Sequence, residues 1–209
     1  GAFTLNANST GTTTFANTVS GLTALTTNTG GTTEINTATV TTTGAQTYND
    51  AVTVGANTTL TSSGGSNIRF VDTLDGAFDV TVNTAGTTIF SSAVGGTAPL
   101  ASLTTNATGT TQVNGGSVIT AGSQTYGDPV TVSGPTTFNA TATTAALAFN
   151  STLAASANAL TLKADEINLG GGAGSVSGSS TILLQPNNTA AAINIGAAAG
   201  GTVQLVDVG

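Results

Sequence analysis

Gly1-Ala2-Phe3-Thr4-Leu5 returns as Gly76-Ala77-Phe78-Asp79-Val80, and Gly11-Thr12-Thr13-Thr14-Phe15 returns as Gly86-Thr87-Thr88-Ile89-Phe90. Leu25-Thr26-Thr27-Asn28 matches Leu103-Thr104-Thr105-Asn106, and Gln46-Thr47-Tyr48 matches Gln124-Thr125-Tyr126. The offset is about 75 residues at first and about 78 later, with the extra residues falling near Gly95-Gly96-Thr97-Ala98-Pro99. A third copy starts faintly at Ala159-Leu160-Thr161-Leu162. Self-similarity of this length, written in Thr, Gly, Ala and Asn, is the mark of solenoids and surface arrays. It predicts one continuous rod over residues 1–209, with units 1–75 and 76–157 and a degenerate or terminal segment 158–209.

Composition sets the class. Only 5% of the 209 residues are charged and 38% are hydrophobic. The usual disordered profile, of low hydrophobicity with high charge, does not fit. Thr makes up roughly a fifth of the chain, and its branched Cβ suits pleated strands. The 28 glycines and frequent Asn supply tight corners. The expectation is all-β.

Strand-like runs recur between Gly, Asn, Asp and Ser clusters: Phe3 to Asn6, Thr13 to Val19, Leu22 to Thr27, Thr32 to Thr43, Ala51 to Val54, Thr58 to Ser62. Alternation within them, as at Val52/Val54, Phe78/Val80/Val82 and Val130/Val132, is the period of a strand with one buried face. A sandwich needs hairpins, yet hairpin dipeptides are sparse (Asp75-Gly76, Asn114-Gly115). A β-helix needs only corners. The expected fold is therefore a β-solenoid of about 20 residues per coil, with about ten coils. Its inward positions are read as Leu5, Phe15, Val19, Leu25, Ile35, Val40, Val54, Leu60, Phe70, Val80 and their repeat mates.

The residue inventory bears on function as well. Nine acids against two bases, Arg69 and Lys163, leave a net charge of −7, which offers no footprint for nucleic acid or anionic lipid. No apolar run is long enough for a membrane-spanning helix, and no membrane insertion is expected. With no His and no Cys, imidazole- and thiol-based catalysis and metal binding are excluded. Carboxylate pairs remain: Asp72, Asp75 and Asp79, and separately Asp165 with Glu166. Turn chemistry accounts for Asp72 and Asp75, which lie beside a repeat junction. The Gly-rich segment Gly170–Gly174 lacks the Asp of calcium-binding β-rolls. No cofactor, no metal and no enzyme activity are expected.

Two aromatic residues stand at equivalent places, in Gln46-Thr47-Tyr48-Asn49-Asp50 and Gln124-Thr125-Tyr126-Gly127-Asp128. Tyr48 and Tyr126 are the candidates for an exposed platform gripping a host or cell-surface glycan. The plainer reading is a ring covering a coil corner with its hydroxyl in water. Threonine richness also raises ice binding, but Thr-Thr doublets dominate and no Thr-x-Thr is evident once per coil.

The stretches Gly11-Thr12-Thr13-Thr14-Phe15, Leu25-Thr26-Thr27-Asn28 and Thr43-Gly44-Ala45-Gln46-Thr47-Tyr48-Asn49-Asp50-Ala51-Val52-Thr53-Val54 resemble the repeats of filamentous-haemagglutinin-like large bacterial exoproteins. The segment Thr181 to Gly196 is similar to those that follow such repeats. The resemblance spans nearly the whole chain through low-complexity motifs. It implies a right-handed parallel β-helix, export to the bacterial outer surface, and an adhesin or matrix role. It carries over no catalytic or binding residues.

The expected function is thus a structural stalk or fibre segment of a cell-surface or secreted exoprotein. A carbohydrate-binding module and an ice-binding solenoid are the alternatives. The chain reads as a piece of a longer protein or a processed product. Homo-assembly, end-to-end or lateral, is the expected partnership, with Gly1–Asn6 accepting strands such as Val203–Val208.

Overall fold

The computed structural model describes residues 3–188 and the backbone of Asn194–Gly196. It is all-β, with parallel sheets wound as a β-solenoid of about nine turns at roughly 21 residues per turn. No helix occurs among the described residues. Strand contacts are therefore between residues one coil apart. Asn36 donates its amide to the carbonyl of Phe15, Gly55 to Ile35, Val71 to Tyr48 and Ser91 to Phe70.

Each coil has three strands, and the strands build three faces. The first face stacks Leu25, Gln46, Ile68, Thr88, Thr111, Val130 and Leu153 in one column. The second stacks Val40, Leu60, Val82, Thr105, Tyr126 and Phe149. On the third, Phe15, Ile35 and Val54 are in register, and bridges from Leu74 through Val94 to Val118 carry the ladder on. The run Thr32 to Thr43, read as one strand in sequence, turns a corner at its middle and is two: Thr32–Ile35 on the third face and Thr39–Thr42 on the second.

A narrow core runs through the rod. Of the expected inward residues, Phe15, Leu25, Ile35, Val40, Val54, Leu60, Phe70 and Val80 are buried. Leu5 is 36% exposed and Phe3 72%. Among the described residues their strand, Phe3–Ala7, has a partner on one side only, Val19–Thr27. Val19 is only partly buried for the same reason: it lies on the lowest turn of its face. Complete burial goes with stacking from both sides; Phe15, on the lowest turn of its own face, keeps 8% exposure.

Aromatic rings exploit that stacking. Tyr48 lies on Phe70 with centroids 5.1 Å apart, and Phe70 on Phe90 at 5.5 Å, both pairs within 12° of parallel. Tyr126 stacks on Phe149 at 4.9 Å, and Phe138 meets both edge-on. Such pairs contribute roughly 0.5–1.5 kcal/mol each beyond the area they bury. Phe70→Ala removes the middle ring of a column and is expected to cost about 3–5 kcal/mol in urea unfolding. Thr47→Ala, on the outer side of the neighbouring strand, is expected to stay within about 0.5 kcal/mol.

Candidate functional site

The polar residues that recur between copies turn inward. Period-two alternation continues from Val54 and Val52 back through Asp50, Tyr48 and Gln46, so all five side chains point into the rod. Tyr48 and Tyr126 are fully buried, as are Gln46 and Gln124. This corrects the expectation of an exposed platform, and equally that of a hydroxyl left in water. A fully buried ring stacked on a Phe inside the coil has no face to offer a sugar.

The buried hydroxyls are paired. Tyr48 Oη donates to Gln46 Oε1 at 2.9 Å, and Tyr126 Oη to Gln124 Oε1 at 3.0 Å. Gln46 Nε2 donates in turn to the carbonyls of Val40 and Thr61 at 3.2 and 2.9 Å. Gln124 Nε2 does the same to Val118 and Asn139, at 3.0 and 3.1 Å. Each Gln–Tyr pair is a polar staple joining one face to the next. Burial holds both tyrosine hydroxyls protonated, far above the usual phenol range.

A carboxylate sits beside each staple. Asp50 Oδ1 accepts from Thr27 Oγ1 at 2.8 Å and Thr33 Oγ1 at 2.7 Å. Asp128 Oδ1 accepts from Thr105 Oγ1 at 3.0 Å and Thr111 Oγ1 at 2.8 Å. In both, the two threonines bracket a corner loop of the coil below, 28–31 or 106–109, and the aspartate closes the loop from inside. The loops are pinned alike from outside too. Asn28 Oδ1 accepts from the amide of Ser9, and Asn106 Oδ1 from that of Thr84. Gly31 and Gly109 pass so close to the coil beneath that a Cβ would lie 2.4 Å from the Gly11 carbonyl oxygen and 2.2 Å from that of Gly86.

Sequence reading overlooked these two acids, although one signal was there. Asp50 and Asp128 are the acids that recur at equivalent places in both copies. Their Oδ2 atoms are buried and have no hydrogen-bond partner, as does Thr88 Oγ1, one coil below Thr111. Burial is the leading influence on Asp128 and pushes its carboxyl above the ordinary range, against the lowering effect of the threonine hydroxyls.

The carboxylates singled out from sequence accept hydrogen bonds, Asp72 and Glu166 from nearby residues and Asp75, Asp79 and Asp165 from the next coil. Asp72 Oδ1 accepts from the amide of Thr73, Asp75 Oδ1 from those of Thr97 and Ala98, and Asp79 Oδ1 from Ser102 Oγ. Asp165 Oδ1 accepts from the amide of Asn188, and Glu166 Oε1 from Asn168 Nδ2. Among the described residues no group of three or more Asp, Glu, His or Cys side chains is placed to hold a metal ion. Nor is any helix among the described residues long and apolar enough to cross a membrane.

Threonines line up outside the rod, although not as one Thr-x-Thr per coil. On the second face Thr39, Thr59, Thr81, Thr104 and Thr125 stand in one outward file, five coils deep. Thr41 and Thr61 form a second file beside it, which continues as Asn83. Thr-x-Thr thus does recur on successive coils, hidden in sequence by coil lengths that vary and by inward threonines such as Thr42 and Thr105. The double row is two coils deep, too small a patch for a planar lattice.

Two predictions follow from the corner. Asp128→Asn keeps an acceptor for both threonines but cannot ionise. Because the folded carboxyl binds its proton more readily than the unfolded one, the stability it adds is full below the unfolded value of about 3.9 and is lost as pH rises through the raised folded value. Urea unfolding across pH is therefore expected to show the natural chain gaining on Asp128→Asn as pH falls, and a pH-independent difference contradicts this. Tyr48→Phe strands the Gln46 oxygen and is expected to cost about 1–3 kcal/mol, measured the same way. In comparison with known proteins, no family profile, no curated protein and no solved structure matches this chain.

Proposed function

We propose that this chain is a structural stalk or fibre segment of a bacterial cell-surface or secreted exoprotein, and that it performs no catalysis. One observation carries the reading: the recurring polar chemistry is spent inside the rod. Gln46, Tyr48 and Asp50 and their mates Gln124, Tyr126 and Asp128 face the core and tie neighbouring strands together. On the outer side Asp75, Asp79 and Asp165 bind the next coil.

The mechanism is mechanical. Backbone hydrogen bonds run along the rod from coil to coil, so tension applied end to end loads them together with the stacked core. Outer strands of Thr and Asn hydrate the surface with little charge, and a weakly charged rod can lie close against another. The bacterial surface location is supported by the resemblance of the repeats to exoprotein repeats and by the absence of Cys. The carbohydrate reading loses its support with the burial of Tyr48 and Tyr126.

The test is to pull the chain end to end between handles at its termini in optical tweezers. Release in successive steps of about one coil, each adding roughly 70 Å of contour, is expected. One all-or-none release at low force, or saturable binding on a glycan array that survives Tyr48→Ala with Tyr126→Ala, would contradict the stalk reading.

A further inference from the structure

The sequence repeat and the coil do not keep step. At roughly 21 residues per turn, a 78-residue offset is about three and two-thirds turns. Each element of the second copy therefore lands one face round from its mate in the first. Gln46 stacks on the first face, over Leu25 and under Ile68. Its mate Gln124 stacks on the second, over Leu103 and under Leu147. Val40 lies on the second face with Leu60, whereas Val118 lies on the third with Phe138. Val52 is on the third with Leu74, whereas Val130 is on the first with Leu153.

The shift holds at the copy boundaries too. Leu5, Val80 and Leu160 open the successive copies and pair on the first, second and third faces respectively. The extra residues near Gly95–Pro99 do not disturb it. Val94 bridges to Val118 and Leu100 to Thr120, while their counterparts Val19 and Leu22 pair with Val40 and Thr42. The insertion bulges out of a strand whose two ends keep their places.

We infer that the 78-residue unit is a turning cassette: it carries its own core, staple and corner, and each copy sets them one third of a turn further round. The three faces are then interchangeable frames, and the rod's recurrent surface element is the corner loop. Loop 28–31, closed by Asp50, leaves the corner between the first and third faces. Loop 106–109, closed by Asp128, leaves the corner between the second and first. A ligand lying along one face meets a given element once in three copies. Neighbours on the three sides of the rod instead meet one in turn, copy after copy. The surface suits contacts around the circumference, as a rod among rods requires. This rests on strand register, and it can fail or stand separately from the stalk reading.

Two experiments on the chain test it. The protein has no Cys, so Thr29→Cys with Ala107→Cys places one spin label on each exposed, equivalent loop tip. With coils stacked at about 4.8 Å and sides of about seven residues, labels on different corners are expected roughly 30 Å apart, against about 19 Å for labels above one another on one corner. A distance near the shorter value overturns the turning. The second variant deletes residues 49–126, joining Tyr48 to Gly127. It removes one cassette and moves every later strand to another face, while setting Asp128 over Thr27 and Thr33. It is expected to fold, with β-type circular dichroism and one cooperative melt. Its failure to fold overturns the interchangeability of faces, whatever the label distance shows.

Discussion

An inward side chain in this rod is sealed completely where a coil lies on it from above and another from below. The coil is narrow, its three strands are short, and no single turn encloses a core of its own. Phe3 and Leu5 show the consequence, since among the described residues they stack on Leu22 and Leu25 on one side only and remain exposed. Tyr48, with Phe70 over it, is fully buried. Each repeat of a solenoid is stabilised largely by its neighbours.

That dependence explains why polar groups sit inside. Parallel coils leave corners where strands end and backbone carbonyls turn inward, and a buried carbonyl or hydroxyl without a partner is costly. Glutamine is long enough to cross from one strand to the carbonyls of another, and its oxygen then satisfies a tyrosine two residues on. Aspartate is short enough to fit beneath a protruding loop and accept two threonine hydroxyls at once. The remaining carboxylate oxygen is the cost of this arrangement, and it shows as a raised proton affinity at Asp128. Because the staple and corner are closed within the cassette, neither depends on which face it occupies. The unit can therefore turn without being rebuilt.

Much of the fold was legible in sequence. Period two over Val52/Val54 and Phe78/Val80/Val82, with the long repeat, led to strands in stacked coils, and the apolar list marked the core. Corners were harder, since Asn36–Ala38 carries no glycine and was read through as strand. The candidate site was misread for a different reason. Tyrosine is an amphipathic residue, and its placement was weighed by type instead of by following the alternation back from Val52, which puts Tyr48 and Asp50 inside. The turning of the repeat was not visible at all, because it depends on coil lengths that vary, from 19 residues between Ile35 and Val54 to 24 between Thr136 and Leu160, and only strand pairing reveals them. The expected pairing of Gly1–Asn6 with Val203–Val208 concerns a C-terminal segment outside the described residues.

The stacking of coils is the claim on which everything else stands. Scalar couplings measured through backbone hydrogen bonds by nuclear magnetic resonance report donor and acceptor directly. The account predicts couplings from the amides of Asn36, Gly55, Val71 and Ser91 to the carbonyls of Phe15, Ile35, Tyr48 and Phe70, each one coil upstream. Couplings instead to carbonyls within a few residues along the chain, as hairpins would give, would contradict it.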